Sequence, residues 1–459
     1  MRKMPCSQSV VRFMEILLRN SRRWLCGLAC SLLMLAGMTK QCWPQEYTSI
    51  QRGEVQNMLQ DVTQDVKKQY YDPHLLGADW EAKVREAKEK VDKAESFNRA
   101  LTAVAVALDS LNDSHTAFAP PARPYVNDYG FLMQMIADRC YVTRVEPGSD
   151  AETKGLKPGE EVLAVNGYKP TRDDYSRMQY MFWILRPQPG FSLKIRSLDG
   201  NTRQIDIIAK FHARQQFRNA SASGIFDLIR EAEDAESQAR VRYEERGSSL
   251  LIVRFPEFLP SLDEVESAVN KMRKHDGVVI DLRANPGGSE DALISLLGGM
   301  FANKVKIGER VRRDGTKAIE TEPSRHWFDG KLVVLVDSKS ASAAEIFART
   351  IQLEKRGLVM GDKTSGRVME AKYFGHTTGG DTGTAFIAYG AEITVADIVM
   401  ADGRSLEHEG VTPDALVLPT ASDLANGRDP VLAKAAEQLN VKMSAEEAGK
   451  MFPYEWPKN

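Results

Sequence analysis

Cysteine is scarce in this 459-residue sequence, and four of its five cysteines lie within the first 42 residues. Only Cys140 falls in the remainder, so the sequence excludes a disulfide framework and has no cysteine spacing typical of a metal site. A strong charge of one sign is also lacking. The formal net charge is −2 and no basic run is interleaved with aromatic residues, which gives no reason to expect a nucleic-acid partner. We therefore expect a fold stabilised by its apolar core, with no cofactor and no metal.

An apolar run long enough to span a membrane is missing as well. Residues 25–38 are apolar over about 14 positions, whereas a spanning helix needs about 20. Arg19, Arg22 and Arg23 precede this run. A basic flank followed by a short apolar stretch predicts export, so we interpret residues 1–45 as a signal peptide or membrane anchor. Export to the periplasm or cell envelope is the preferred interpretation, and an uncleaved membrane anchor is the alternative.

Changes of pattern divide the rest of the chain. Residues 46–122 have apolar residues at helical spacing, which predicts an N-terminal helical region. Residues 126–212 consist of short alternating segments separated by Pro-Gly turns, which is typical of a small β-rich module. A polar, helical connector is predicted over residues 213–245. Residues 246–440 alternate strands and helices, which predicts an α/β sheet with crossover helices, and residues 441–459 form a C-terminal tail.

The β-rich module contains the run Tyr129, Gly130, Phe131 and Leu132 immediately before a strand. Together with its Pro-Gly turns and its closing Asn-Gly turn, this run resembles a PDZ domain over nearly the full length of such a domain. The resemblance implies that the glycine lets backbone N–H groups converge on a peptide carboxylate, while the following strand pairs with the peptide. These four residues are therefore the implied peptide-binding residues. The alternative is a β-module that packs only against the rest of the chain.

Two segments of the α/β region place small residues where strands end. A buried strand over residues 278–282 runs into a turn with Gly287 and Gly288, where the backbone could approach a ligand closely. A second strand delivers Ser342 to the first turn of a helix. There the free N–H groups and the positive end of the helix dipole favour a developing oxyanion. The alternative role for Ser342 is a helix cap, because Ser342 and Glu345 fit the S-x-x-E pattern.

In this order, and followed by residues 406–414 and 429–432, these segments resemble the S41 family of C-terminal processing, or tail-specific, proteases. The resemblance implies an α/β multidomain fold with a core of the ClpP/crotonase-like type. It implies that Ser342 is the nucleophile, and that N–H groups of Gly287 or Gly288 and of Ala343 form the oxyanion hole. The implied activity is cleavage of polypeptides without a cofactor. The PDZ domain would bind the C-terminal tails of these substrates.

The general base is where the sequence departs from the bacterial members of that family. Those proteases use a lysine at the position that Arg367 occupies here, and arginine stays protonated at any reachable pH. A tricorn-like branch of the family instead uses a histidine from a Ser-His pair ahead of the PDZ domain. Ser114-His115 matches that pair. The resemblance implies that His115 is the base, that Ser114 orients it and that Glu407 stabilises the charged imidazole.

Alternatives remain at this point. His115 could instead be a turn histidine bonded to nearby backbone, and Arg367 is left either to hold a substrate carboxylate or to pair with an acid such as Glu370. The missing lysine also keeps open a protein of another class: a catalytically inactive, PDZ-containing scaffold that binds peptides. A hydrolase of small esters or peptides is a third option, since a fold does not fix a substrate.

Overall fold

The structure is a computed structural model that describes residues 47–213, 240–322, 326–379 and 387–456. The predicted signal or anchor segment lies outside the described residues, as does most of the predicted helical connector. Over the ranges that are described, no helix is long and apolar enough to cross a membrane. From Ser49 onward, the described residues belong to one compact unit.

The N-terminal region is helical, as predicted, and ends in a short strand. Its elements are α1 (Ser49–Gln69), α2 (Trp80–Asp92), α3 (Phe97–Asp109) and β1 (Ala117–Ala119). Helix α1 buries apolar side chains on one face, whereas α2 keeps most of its Lys and Glu side chains in solvent. Ser96 caps α3 by accepting the N–H of Arg99. The alanine-rich α3 buries seven of its 13 residues, and it ends just before the loop that carries His115.

The second region is a β-module with its own core. Its elements are β2 (Tyr125–Asp128), β3 (Phe131–Ile136), β4 (Arg139–Val145), α4 (Asp150–Thr153), β5 (Glu161–Val165), α5 (Tyr175–Gln179), β6 (Gly190–Arg196), β7 (Thr202–Ile208) and β8 (Lys210–Ala213). Strands β3 to β7 form one antiparallel sheet in chain order, which leaves β3 at an edge. Alternate residues of these strands, such as Leu193 and Ile195, fill the module's core, as the period of two predicts.

The third region contains the α/β core. Its elements are β9 (Arg242–Arg246), β10 (Leu250–Arg254), α6 (Leu262–Met272), β11 (Gly277–Asp281), α7 (Glu290–Gly298), β12 (Lys306–Arg312), β13 (Gly315–Glu320), β14 (Lys331–Val336), α8 (Ala343–Leu353), β15 (Leu358–Gly361), β16 (Met369–Thr378), β17 (Ile387–Met400), β18 (Ala415–Leu416), α9 (Ala421–Ala425), α10 (Pro430–Gln438) and α11 (Ala445–Ala448). The predicted alternation of strands and helices from β10 to β15 is confirmed, except that the unpredicted strands β12 and β13 come between α7 and β14.

A six-stranded sheet organises this core, in the order β18-β15-β14-β11-β10-β9. All its pairs are parallel except β9 with β10. Its central strands are apolar at consecutive positions because both faces are covered. In β10, Leu251 and Val253 face the cluster that α6, α7 and α8 complete, whereas Leu250 and Ile252 face the cluster of α10 and α11. The tail beyond residue 440 therefore contributes to the core.

A second, antiparallel sheet was not predicted from the sequence. The 14-residue strand β17 pairs with β1, β12 and β16, and β13 extends the sheet from β12. It connects the N-terminal helical region to the α/β core. The loops that follow β11, β14 and β15 all leave the same end of the parallel sheet, which is the edge where α/β proteins place their sites. Gly287, Ser342 and Arg367 lie on these three loops.

Candidate active site

Ser342 lies at the N-cap of α8 in an unusual backbone conformation, with φ 54° and ψ −120°. A non-glycine residue in this region carries backbone strain, and such residues concentrate at functional sites. The N–H of Ser342 donates to the carbonyl of Arg367 (2.8 Å) and to the carboxylate of Glu345 (3.1 Å). The N–H of Glu345 donates to the main-chain carbonyl of Ser342 (2.9 Å), and among the described residues no hydrogen bond from that N–H to the Ser342 hydroxyl is formed. In this S-x-x-E pattern the glutamate side chain therefore accepts the N-cap N–H, whereas the serine hydroxyl remains available to act as a nucleophile.

Glu345 is a fully buried carboxylate that holds this turn together. It accepts four hydrogen bonds, from the N–H groups of Ser342, Gly366 and Arg367 and from the hydroxyl of Thr364. Burial raises the pKa of Glu345 to about 7, and the hydrogen bonds oppose that rise. The start of α8 and the segment 364–367 are thereby fixed to one another.

His115, Ser114 and Glu407 form a hydrogen-bonded chain. The Ser114 hydroxyl lies 2.7 Å from Nδ1 of His115 and 2.8 Å from Oε2 of Glu407, while the Ser114 N–H donates to Oε1 of Glu407 (2.6 Å). An ionised carboxylate only accepts, so the single hydroxyl proton goes to Glu407 and the hydroxyl accepts from Nδ1–H. This assignment leaves the lone pair on Nε2, which is the tautomer that a general base requires.

The His115 side chain is partly buried and lies between opposite charges. Burial and the positive charge of Arg367 together lower the pKa of His115 to about 4, and the negative charge of Asp113 partly opposes them. Asp113 also accepts the main-chain N–H groups of His115 (2.9 Å) and Thr116 (2.6 Å). The ring is therefore neutral at pH 7, and its loop is fixed by a neighbouring carboxylate.

Arg367 connects the histidine loop to the serine turn. Its Nη2 donates to the carbonyl of Ser114 (2.8 Å), while its own carbonyl accepts the N–H of Ser342. Within the described residues no hydrogen bond joins the Ser342 hydroxyl to the His115 ring, so the two loops meet through Arg367. The suggested pairing of Arg367 with Glu370 is wrong, because Glu370 binds two other arginines, Arg310 and Arg312.

The glycine turn after β11 packs directly on the serine. Gly287 has φ +103°, and a Cβ there would lie 2.6 Å from Cβ of Ser342 and 3.1 Å from N of Ala343. The N–H of Gly287 donates to the side-chain oxygen of Asn285 (2.8 Å). The parallel bridge to Phe258 uses the carbonyl of Gly287 and the N–H of Ser289, not the N–H of Gly288.

Of the predicted oxyanion donors, the N–H groups of Gly288 and Ala343 are therefore the ones that this turn leaves for a ligand. Ala343 is the first residue of α8, a position whose N–H has no partner within the helix. Gly287, which precedes Gly288, packs against Ser342, and Ala343 follows Ser342 in the chain, so both candidate donors lie on segments that meet at the serine.

The predicted peptide-binding run of the β-module lies at the start of edge strand β3. Tyr129 is buried in the module's core and donates its hydroxyl to the Gln188 carbonyl. Gly130 has φ +67°, and its N–H donates to Asp128. Phe131 is buried opposite Val145, and Leu132, half-buried, pairs with Arg144. The four residues therefore fix the entry to β3.

The free edge of β3 is already occupied by groups of the same chain. Tyr175, at the start of α5, donates its hydroxyl to the carbonyl of Met133 (2.6 Å). Ser338, in the loop after β14, donates to the carbonyl of Met135 (2.5 Å). An added peptide strand would need these same carbonyls. The β-module and the α/β core are thus in contact along this edge.

Three residues that organise the site were not predicted from the sequence to do so. Asp113 precedes the Ser-His pair, Asn285 lies within the glycine motif, and Glu345 was considered only as a helix cap. All three are buried polar residues that organise backbone N–H groups. A buried acid or amide next to a motif is the signal that could have identified them, because such groups require partners.

Comparisons with known proteins agree with this architecture. Residues 249–417 match the sequence model of peptidase family S41, and residues 123–181 match that of the PDZ domain. The structure is similar to mature CPAF, with a TM-score of 0.61 and 15% identity over 85% of this chain and 96% of CPAF. It is similarly related to mature CPAF complexed with lactacystin, with a TM-score of 0.60 over 98% of that chain. At this identity the likeness establishes the α/β multidomain fold.

Relatives by sequence are processing proteases. A tail-specific protease of Haemophilus influenzae is 25% identical over 270 residues, which are 56% of this chain and 36% of that protein. A carboxyl-terminal-processing protease of Synechocystis is 26% identical over 273 residues, 59% of this chain and 57% of that protein. CtpA, a carboxy-terminal processing protease of Bacillus subtilis, is 25% identical over 58% of this chain and 50% of its own length. The chain thus spans between about a third and three-fifths of these relatives' lengths.

Proposed function

We propose that this chain, a member of peptidase family S41 through residues 249–417 with a PDZ domain at residues 123–181, is an exported serine endopeptidase of the Ser-His type. The observation that carries the proposal is the hydrogen-bonded chain from Glu407 through Ser114 to Nδ1 of His115. It fixes the ring in the tautomer of a base. The same loop is bonded through Arg367 to the turn of Ser342, where the N–H of Glu345 donates to the main-chain carbonyl of Ser342 and leaves the hydroxyl for chemistry.

In the proposed mechanism the Ser342 hydroxyl attacks the scissile carbonyl while Nε2 of His115 takes its proton. The N–H groups of Gly288 and Ala343 bind the resulting oxyanion. The imidazolium then gives its proton to the leaving amine, and an acyl-enzyme remains. Water hydrolyses that ester by the same base. Closure of the gap between Ser342 and His115 on substrate binding is part of the proposal, since catalytic hydrogen bonds often tighten only in the substrate complex.

The PDZ domain is proposed to dock the C-terminal tails of polypeptide substrates. An edge strand that follows a positive-φ glycine, with α5 beside it, is the arrangement that binds peptides by strand addition. The tail would displace the Tyr175 and Ser338 hydroxyls from the outer carbonyls of β3. Because Ser338 lies four residues before Ser342, a docked tail would leave the rest of the substrate close to the nucleophile.

Export to the periplasm or cell envelope rests on the basic flank and short apolar run of residues 19–38. N-terminal sequencing of the protein recovered from the cell envelope tests this part separately. A cleaved N-terminus beyond the apolar run supports a signal peptide, whereas an intact N-terminus in the membrane fraction supports an anchor.

The second candidate function is a PDZ scaffold that binds peptides without turnover. It is favoured by the absence, among the described residues, of a hydrogen bond between Ser342 and His115. The Ser114–Glu407 hydrogen bonds argue against a scaffold. They favour one tautomer of His115, which is required for proton transfer but not for peptide binding.

A fluorophosphonate probe separates the two functions, because it reacts only with an activated serine. We expect the wild type to be labelled and to cleave a tail-containing polypeptide, and both activities to be lost in Ser342→Ala and His115→Ala. Ser261→Ala is the matched control: Ser261 has the same S-x-x-E pattern, but it caps α6 with its side chain. This control should lose about 1 kcal/mol of stability and keep its labelling. An unlabelled wild type that binds peptides would support the scaffold.

A further inference from the structure

Arg367 occupies the position where lysine-dependent relatives place their base, yet its guanidinium cannot act as one. We propose that Arg367 is instead a positioning residue, which locks the loop of His115 to the turn of Ser342. This inference rests on the proposed Ser-His chemistry. It adds a residue that touches neither substrate nor the reacting atoms.

The backbone of Arg367 belongs to the nucleophile's turn. Its carbonyl accepts the N–H of Ser342 (2.8 Å), and its N–H donates to the buried carboxylate of Glu345 (2.9 Å). The next residue, Val368, donates its N–H to Oε2 of Glu407 (3.0 Å). Two consecutive peptide groups therefore contact the serine turn and the acid of the histidine chain.

The side chain of Arg367 reaches the base. Its Nη2 donates to the carbonyl of Ser114, the residue whose hydroxyl orients the His115 ring. A rigid, planar guanidinium loses little freedom per hydrogen bond, so it suits a fixed bridge between two loops. In the described ranges the guanidinium of Arg367 forms no ion pair with a carboxylate, and its hydrogen bond goes to a carbonyl. Its charge therefore acts on the buried ring without a neutralising partner.

That charge has a defined consequence for the base. Burial and the nearby cation of Arg367 both lower the pKa of His115, whereas the Asp113 carboxylate opposes them. Without Arg367 the ring would take up a proton more readily, and a protonated imidazole cannot accept the serine proton. Arg367 thus preserves the base through its charge and places it through its hydrogen bond, and these two contributions can be separated.

The test compares Arg367→Met, which removes charge and hydrogen bond, with Arg367→Lys, which keeps the charge on a flexible stem. Arg313→Gln is the matched control, because Arg313 also donates to backbone carbonyls, those of Lys67 and Tyr70, but to neither the His115 loop nor the Ser342 turn. Three quantities are measured: the pH profile of kcat/KM on a peptide, the rate of fluorophosphonate labelling, and the NMR titration of His115, assigned by its loss in His115→Gln. A thermal melt confirms that each variant folds.

For Arg367→Met we expect the acid limb of kcat/KM and the His115 titration to move together to higher pH. We expect labelling at pH 7 to slow by about 10- to 100-fold, as for a misplaced catalytic group. Arg367→Lys should return the titration towards that of the wild type while its labelling stays slower. Arg313→Gln should match the wild type throughout.

An unchanged His115 titration together with unchanged labelling in Arg367→Met would overturn the inference. Its failure differs from failure of the proposed function, which would show as a wild type that is not labelled, or as labelling that survives in Ser342→Ala. In that event the NMR titration still decides, since it needs no turnover. If Arg367→Met does not fold, Arg367→Lys decides, with Arg367→Lys/His115→Ala as its control because a lysine here could itself act as the base: labelling at the wild-type rate that still requires His115 would exclude a positioning role for the guanidinium.

Discussion

Acidification from pH 7 should weaken the folded chain through His115, because its ring is buried in the neutral form. The folded-state pKa of His115 is about 4, against 6.5 for an exposed histidine. Between these two values the unfolded chain binds a proton that the folded chain does not. The stabilising contribution of the neutral ring is thus complete above pH 6.5 and is lost as the pH falls towards 4.

The magnitude follows from the size of this difference. Each unit of pKa corresponds to about 1.4 kcal/mol, so the loss reaches roughly 2 kcal/mol at pH 5 and roughly 3 kcal/mol when the pH falls below 4. Glu345 acts in the opposite direction, because burial raises its pKa to about 7 and the folded chain then gains stability as the pH falls from 7 towards 4.5. The two contributions partly cancel in the pH dependence of the wild-type free energy of unfolding, so that curve alone shows neither.

The assay is denaturant unfolding of the wild type and of His115→Gln at several pH values between 5 and 8. Glu345 is common to both proteins, so the difference between their free energies of unfolding isolates the histidine. We expect the wild type to lose about 2 kcal/mol relative to the variant between pH 7.5 and pH 5. His74→Gln is the control for the substitution itself, since His74 is exposed on a turn.

A difference between wild type and His115→Gln that does not change with pH would refute the reasoning, because it would mean that the ring is as free to take up a proton in the fold as in the unfolded chain. A wild type that gains stability over the variant at low pH would show that the ring is held as the cation, with Asp113 outweighing burial.

Two further outcomes test the geometry of the turn and of the PDZ edge. Gly287→Ala should abolish fluorophosphonate labelling and lower the free energy of unfolding by about 1–3 kcal/mol, since its Cβ would lie 2.6 Å from Cβ of Ser342 at a positive φ. Gly315→Ala is the control: Gly315 also has a positive φ, but its Cβ would meet no atom within 4 Å, so labelling should be kept. Tyr175→Phe frees the Met133 carbonyl and should tighten binding of a C-terminal peptide by about 2- to 10-fold in fluorescence anisotropy; weaker binding would contradict a competing hydroxyl.

Much of the α/β core could be predicted because its signals are local. Runs such as residues 250–253 and 332–336 are apolar at every position, as expected for strands buried on both faces, and helix starts carry their own caps. The same locality identified the glycine turn and the serine at the end of two such strands. These residues converge because parallel strands end at one edge of the sheet.

The antiparallel sheet and the connection between base and nucleophile could not be predicted in this way. Residues 117–119 pair with residues 390–392, and no local pattern in β1 specifies a partner so distant in the chain. The fixed role of Arg367 depends on a carbonyl of Ser114, more than 250 positions away. A sequence shows that an arginine has replaced a lysine, but only the fold shows what the guanidinium reaches.

Strand β17 gives the site a common reference. It pairs with β1, which begins two residues after His115, and with β16, which begins two residues after Arg367. The distance between the His115 and Arg367 loops is therefore set by the number of β17 residues between the positions at which β1 and β16 begin to pair. A one-residue deletion inside β17, between Glu392 opposite Ala117 and Asp397 opposite Met369, would move one loop against the other by about 3.4 Å. Chain length between Gly390 and Asp397 should thus tolerate change far less than the identity of its outward-facing side chains.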